Sequence, residues 1–189
     1  MNIEASEKMK KGNILIFNTL TLLIGIVIVI ISWSPAINYL NVFNILLGVY
    51  GFIKFLQYLN QEDKHDYENL LTMLVCFVTP LIQLIGLSKE SMLTPFTFLT
   101  WISLMAIVKL IKLDYLHDRS DESFKIKVVG FLLFVVLGFM TNYTLLFVFE
   151  SKATIIGFFF IINGIISLGE NLFSDFLTKK KRVKNAKRK

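Results

Sequence analysis

Charged residues are absent from long parts of this sequence. Residues 12–53 run for 42 positions without an Asp, Glu, Lys or Arg. A soluble helix needs charged residues at regular intervals to form its solvent face, so this absence argues against a soluble helical domain. A helix needs roughly 20 apolar residues to cross the hydrocarbon core of a bilayer. The segment therefore suits two crossings, with a turn at residues 32–35.

Four further charge-free segments follow, and each fits one crossing because each is 17 to 22 residues long. They cover residues 69–88, 91–108, 128–149 and 153–169. The connections between them are too short for a separate catalytic domain. The sequence therefore predicts an all-α integral membrane protein with six transmembrane helices. We expect an N-terminal tail over 1–11, a membrane domain over 12–178 and a polybasic tail over 179–189.

Residues that carry catalytic or metal chemistry are few. The single cysteine, Cys76, excludes an intramolecular disulfide, and its position within a span favours a role as apolar filler. The two histidines, His65 and His117, lie among acidic residues without metal-ligand spacing. They are interpreted as solvated loop residues, and a pH response is the alternative. No nucleophile–base motif or glycine-rich phosphate loop occurs, so the sequence predicts no enzyme, cofactor or metal site.

Positive charge is distributed unequally between the predicted loops. Of the 20 Lys and Arg residues, 18 lie on the side that carries both tails. The opposite side has only Lys89 and Lys152. Positively charged loops remain in the cytoplasm. We therefore predict a multi-pass protein of the plasma membrane with both termini cytoplasmic.

The C-terminal tail is strongly basic. Each basic residue near an anionic leaflet contributes about 1 kcal/mol of attraction, so the tail predicts contact with anionic lipid. Binding to nucleic acid is the less favoured interpretation, because the tail lacks interleaved aromatic residues. Such a charge run is also expected to be disordered without a partner. The basic residues are Lys179, Lys180, Lys181, Arg182, Lys184, Lys187, Arg188 and Lys189.

An internal repeat relates the predicted helices. Residues 48–54 align with residues 103–109 and 161–167, at offsets of 55 and 113 positions. A small residue and, one turn later, a polar residue recur in each unit. The small residues are Gly51, Ala106 and Gly164, and the polar residues are Gln57, Lys112 and Glu170. The same offsets align Gly25 with Gly138 and place Pro80 in the middle unit.

The repeat predicts three tandem helical hairpins over about 12–59, 69–114 and 124–176. The hairpins share one orientation because each contains two spans. Helices in lipid associate by close packing at small residues. We therefore predict helix contacts at the small residues of the repeat, which are Gly25, Gly51, Ala106, Gly138 and Gly164.

This pattern of glycines resembles the HdeD family of short-repeat bacterial membrane proteins. The resemblance rests on residues 23–27 with 46–53, and on residues 136–139 with 161–166. The middle hairpin departs from it, with Pro80 and Ala106 where the family favours glycine. The resemblance implies a non-enzymatic multi-pass protein with a structural or acid-stress-protective role. That family offers no catalytic residues to transfer.

Three charged residues lie near the ends of predicted spans. Lys54, Lys109 and Glu170 are interpreted as side chains that snorkel to the headgroups. A buried polar cluster is the alternative, because intramembrane charges are candidates for function.

Uncharged polar residues within the spans are interpreted as interhelical hydrogen-bonding groups. The alternative is a channel or carrier for a small solute, with a path lined by Asn44, Gln83 and Asn163. Association between copies of the chain stays open.

Overall fold

A computed structural model describes residues 19–20, 22–33, 39–60, 65–85, 90–118, 123–147 and 152–186. Within these residues the chain is helical and contains no strand, as the sequence predicts. The helices are α1 (Leu22–Ile31), α2 (Tyr39–Asn60), α3 (Glu68–Ile85), α4 (Glu90–Asp118), α5 (Phe124–Phe147) and α6 (Lys152–Ala186).

Local hydrogen bonds explain how α3 begins and how one of its buried polar groups is satisfied. The Glu68 backbone N–H donates to Asp66 Oδ1 at 3.3 Å, as at a helix N-cap. The negative charge of Glu68 also complements the positive end of the helix dipole. Farther along, Pro80 lacks a backbone N–H. The neighbouring Thr79 hydroxyl donates to the Val75 carbonyl at 2.8 Å, so this buried polar group is satisfied within its own helix.

Three of the helices are long and apolar enough to cross a membrane. These stretches are Pro95–Asp118, Phe124–Phe147 and Lys152–Glu170. At 1.5 Å per residue, their 19 to 24 residues reach roughly 28–36 Å. The described apolar parts of the other three helices are shorter, at Leu22–Ile31, Phe43–Leu59 and Glu68–Ile82. The prediction of six spans is therefore confirmed for α4, α5 and α6 by length and composition, and the arrangement of six spans as three hairpins stays a prediction.

The helices pack in chain order from α2 to α6. The most extensive contacts join α2 with α3 and α4 with α5, and those within α3–α4 and α5–α6 are somewhat smaller. The closest pairs therefore join neighbouring units of the sequence repeat. Helix α1 lies against α6, where the Ser32 and Thr154 hydroxyl oxygens are 2.8 Å apart. This contact brings the first helix next to the last.

Glycines allow α1 and α6 to approach backbone to backbone. A Cβ added at Gly25 would lie 2.6 Å from the Ile161 nitrogen, and one added at Gly164 would lie 2.9 Å from the Leu22 nitrogen. A Cβ at Gly157 would lie 3.0 Å from the Gly25 carbonyl oxygen. No side chain fits at these distances unless the two backbones separate.

The other predicted contact residues also face neighbouring helices. A Cβ at Gly51 would lie 2.9 Å from Cys76 Cβ, on α3. A Cβ at Gly138 would lie 2.7 Å from Ile102 Cγ2, on α4. Ala106 is half-buried and packs against the core.

Aromatic side chains fill the middle of the bundle. They come from α2, α4, α5 and α6, and neighbouring rings lie 5.1–6.4 Å apart between centroids. Such tilted and edge-on pairs stabilise a core beyond the burial of their area. We call this group the aromatic centre: Phe43, Phe98, Trp101, Phe134, Phe159 and Phe160, all at most 4% exposed.

The outer surface of the bundle is apolar as well. Large apolar side chains on α5 alone include five that are more than half exposed. An apolar area of this extent is unusual on a soluble monomer. These five are Val129, Leu132, Val136, Phe139 and Met140, and Tyr143 and Phe147 are also more than half exposed.

Candidate functional site: a charged cavity at one end of the bundle

One end of the bundle holds a cavity lined by charged side chains. This is the end at which α2 and α4 finish and α3 and α5 begin. The cavity has a volume of about 70 Å³, which is room for about five waters. We call it the charged cavity. Its lining is Tyr50, Lys54, Glu68, Thr72, Trp101, Met105, Val108, Lys109, Lys127, Phe134, Phe160, Asn163, Ser167 and Glu170.

Equivalent positions of the sequence repeat line this cavity together. The last position of the aligned segments places Lys54, Lys109 and Ser167 in the cavity wall. One turn earlier, the aligned residues Tyr50, Met105 and Asn163 line the same cavity. The even-numbered helices α2, α4 and α6 thus present corresponding faces to one shared space.

Glu170 forms the most buried ion pair of the site. Its Oε2 accepts a hydrogen bond from Lys127 Nζ at 2.6 Å, and the Glu170 side chain is only 7% exposed. The Glu170 carboxylate lies directly against the backbone of Gly130, where an added Cβ would overlap it. A glycine on α5 is therefore what leaves space for this carboxylate.

A second group of ion pairs lies beside the cavity. Lys112 Nζ donates to Asp66 Oδ2, and it lies 3.4 Å from Glu68 Oε2. Asp66 and Glu68 flank the start of α3, and Lys112 lies near the end of α4. This lysine therefore joins two helices and balances the charge of the cavity-lining Glu68.

The remaining two lysines of the cavity face neutral groups. Lys54 Nζ donates to Asn69 Oδ1 at 3.3 Å and lies 5.6 Å from the centroid of the Tyr50 ring. Lys109 Nζ lies 4.9 Å from the centroid of the Phe134 ring, a distance suited to a cation–π contact. Among the described residues, no carboxylate lies within ion-pair distance of either ammonium group.

The aromatic centre forms the inner wall of the charged cavity. Trp101, Phe134 and Phe160 belong to both. The other members of the centre are buried and do not line the cavity. The polar space therefore reaches the aromatic centre from one end of the bundle.

The chemistry of this lining suits the binding of an anion. Lysine ammonium groups, hydroxyls and an amide can hold an anion, and the aromatic wall excludes water from one side. Among the residues that the structure describes, no group of three or more His, Cys, Asp or Glu side chains is placed to hold a metal ion. His65 and His117 are exposed and do not line the cavity.

The structure brings together three residues that the sequence singled out separately. Lys54, Lys109 and Glu170 line one cavity, as in the alternative to snorkelling. Asn163 lines it too, whereas Asn44 lies near the start of α2 and does not line the cavity, which is at the end of that helix. The side chain of Gln83 lies outside the described residues.

The basic tail differs from its predicted disorder. Helix α6 continues to Ala186, since Lys, Arg and Ala are good helix formers. The side chains of residues 177–186, and all of residues 187–189, lie outside the described part of the chain. The contact of this tail with lipid stays a prediction.

Sequence reasoning missed the partners that complete the site. Lys127 counted only as a loop charge, and Gly130 belongs to no repeat position. Asp66 and Glu68 are not among the residues that the sequence singled out as candidates. The sequence does show that Lys127 and Gly130 lie three residues apart and so share one face of a helix, but this spacing does not indicate Glu170 as their partner.

Comparisons with known proteins give no match. No family model, no curated protein sequence and no solved structure matches this chain.

Proposed function

We propose that this chain is a non-enzymatic, multi-pass protein of the plasma membrane with a structural or stress-protective role. In this proposal six helices cross the membrane as three hairpins. The proposal keeps the resemblance to the HdeD family, which rests on the glycine positions of the repeat. Acid is the stress that this resemblance suggests.

The observation that carries the proposal is the filled aromatic centre. Trp101, at 1% exposure, contacts rings from α2, α5 and α6. A channel or carrier needs a polar route past the middle of the bundle, at least in one conformation. The described side chains fill that middle with aromatic rings, which favours a closely packed membrane domain over a channel or carrier.

A second candidate is a carrier for a small solute. The charged cavity favours it, because a polar space with Asn163 and three lysines in its wall reaches half-way into an apolar bundle. Carriers use such half-open spaces at the depth of their binding site. The aromatic centre would then have to rearrange during transport.

Two measurements separate these candidates. Cells that lack the protein should lose survival after acid shock, and restoration of the full chain should return it. Liposomes that contain the purified protein should remain as tight as empty liposomes to small solutes in a swelling assay. Protein-dependent solute entry with unchanged acid survival would favour the carrier.

The proposed topology places both termini in the cytoplasm. It rests on the 18 basic residues on one side of the predicted spans. In this orientation the charged cavity opens toward the cytoplasm. A fluorescent reporter that matures only in the cytoplasm should be active after Lys189, and a phosphatase active only outside the cytoplasm should be inactive there. The reverse result would overturn the orientation.

The tail is proposed to hold anionic lipid at the cytoplasmic leaflet. Its attraction for lipid should weaken with salt, because exposed charges are screened within about 10 Å at 0.1 M salt. Anionic lipid should co-purify with the full chain more than with a chain truncated before Lys179. Equal lipid retention by both would contradict this role.

A further inference from the structure

The charged cavity carries more positive charge than its own carboxylates balance. Five charged side chains line it, three lysines and two glutamates. Glu170 pairs with Lys127 at 2.6 Å, and Glu68 lies 3.4 Å from Lys112 outside the cavity wall. Lys112 is shared between Glu68 and Asp66, so four lysines in and beside the cavity face three carboxylates and one positive charge is in excess. Among the described residues, neither Lys54 nor Lys109 has a carboxylate within ion-pair distance.

The surroundings of the Lys54 and Lys109 ammonium groups are energetically unfavourable for a charge. A charge removed from water is unfavourable unless a counter-charge and hydrogen bonds replace the lost hydration. The amide oxygen of Asn69 and the ring of Phe134 offer only neutral partners, at 3.3 Å and 4.9 Å respectively. A small anion between the two lysines would supply the missing counter-charge.

The geometry points to a defined ligand class: we propose that the charged cavity binds a phosphate group between Lys54 and Lys109. The two lysines occupy equivalent positions of the repeat, on α2 and α4, so they approach the cavity from different helices. Lysine binds phosphate as a point charge. This site goes beyond the proposed function, because a structural role requires no ligand.

The size and lining of the cavity limit what the phosphate can be attached to. A volume of about 70 Å³ accommodates a phosphate group but not a nucleotide. Hydroxyls of Thr72 and Ser167 and the amide of Asn163 line the same space and can contribute hydrogen bonds. The phosphate is therefore either free inorganic phosphate or the headgroup phosphate of a lipid.

The two tryptophans of the chain make a direct test possible. Trp101 lines the cavity and is 1% exposed, whereas Trp33 is 83% exposed. In a Trp33→Phe variant, tryptophan fluorescence reports on the cavity alone. The full-length variant, stripped of lipid in a maltoside detergent that contains no phosphate, is titrated with sodium phosphate at constant ionic strength. We expect a saturable change in Trp101 emission, and no such change with sodium chloride.

Lysine variants on the same background assign the binding to the cavity. Lys54→Gln and Lys109→Gln should each weaken phosphate binding by about tenfold or more, since each removes a charge-assisted hydrogen bond to the anion. Lys125→Gln is the matched control, because Lys125 is exposed at the same end of the bundle and does not line the cavity. Equal affinities in all three variants would overturn the proposal.

A parallel titration distinguishes the two phosphate sources. Short-chain phosphatidylglycerol replaces inorganic phosphate in the second arm of the experiment. Saturation by the lipid alone assigns the site to a headgroup, and saturation by inorganic phosphate assigns it to the free ion. Absence of a saturable change with both ligands in the Trp33→Phe protein would overturn the proposal, even if the lysine variants fail to fold.

Discussion

The aromatic centre and the charged cavity share a wall but differ in how completely they are filled. In the centre, rings pack against rings, and Trp101 and Phe98 are at most 1% exposed. Next to it, the cavity leaves about 70 Å³ unfilled and is lined by lysines and glutamates. Both draw on α2, α4, α5 and α6, and α3 contributes only to the cavity.

This difference shows that one helical bundle can contain a densely packed apolar region beside an unfilled region lined by charged side chains. Protein interiors are normally packed as densely as organic crystals, and the aromatic centre follows that rule. The charged cavity departs from it and accepts buried charges, which are costly without a partner. Departures of this kind are expected at functional sites. The experiments below exploit this difference between the two regions.

The largest effect is expected in the aromatic centre. Trp101→Ala removes the largest buried side chain and should lower the free energy of unfolding by about 3–5 kcal/mol, because the neighbouring rings cannot collapse into the space. Trp33→Ala is the matched control and should be almost silent, since Trp33 is 83% exposed. The midpoint of thermal unfolding in detergent measures both. Equal midpoints would mean that the centre is not the stable part of the bundle.

The sequence predicted those features of the two regions that depend on neighbouring residues, and it did not predict contacts between residues far apart in the chain. The absence of charge predicted helices, since helix formation in an apolar segment is a local property. The repeat predicted which residues are equivalent, and Lys54 and Lys109 indeed line one cavity. The pairing of Lys127 with Glu170 was not predictable, because 43 positions separate the two residues and only the packing of α5 on α6 brings them together. The spans of α4 to α6 were predictable from composition alone.

The close contact between α1 and α6 is a third feature of the bundle, beside the aromatic centre and the charged cavity. Gly164→Leu should cost about 1–3 kcal/mol or more, because the new side chain would meet the backbone of Leu22, which cannot rotate away. Gly51→Leu should also be destabilising, since the nearest atom there is Cys76 Cβ, whose position is fixed by the backbone of α3.

Ile30→Leu is the control for these two glycines, because Ile30 is 66% exposed. The three variants are compared by thermal unfolding in the same detergent. If all three unfold at the wild-type temperature, the glycines have no packing role and the repeat loses its physical meaning.

A smaller effect is expected at the ion pair of the charged cavity. Glu170→Gln leaves the Lys127 ammonium without its counter-charge and should cost about 1–2 kcal/mol. This is less than for a fully buried pair, because the Lys127 side chain is 28% exposed.

The double variant Glu170→Gln with Lys127→Gln isolates the pair interaction. It should recover most of the lost stability, because neither charge then remains unmatched. The free energies of unfolding of the wild type, both single variants and the double variant complete a thermodynamic cycle. Additive losses would show that the two side chains do not stabilise each other.

The smallest effect should have the opposite sign. Lys109→Met keeps the length of the side chain, removes an ammonium group that faces the Phe134 ring, and extends the apolar wall of the aromatic centre. A residue kept for binding at the expense of stability is often stabilising when replaced, by about 0.5–1 kcal/mol. We therefore expect a small rise in the unfolding midpoint without phosphate, whereas Lys125→Met on the exposed face should leave it unchanged. Added phosphate should then stabilise the wild type more than Lys109→Met and reduce the difference between them. A loss of stability in Lys109→Met without ligand would mean that this lysine belongs to the packed part of the bundle, and the boundary between the two regions would lie closer to the end of α4.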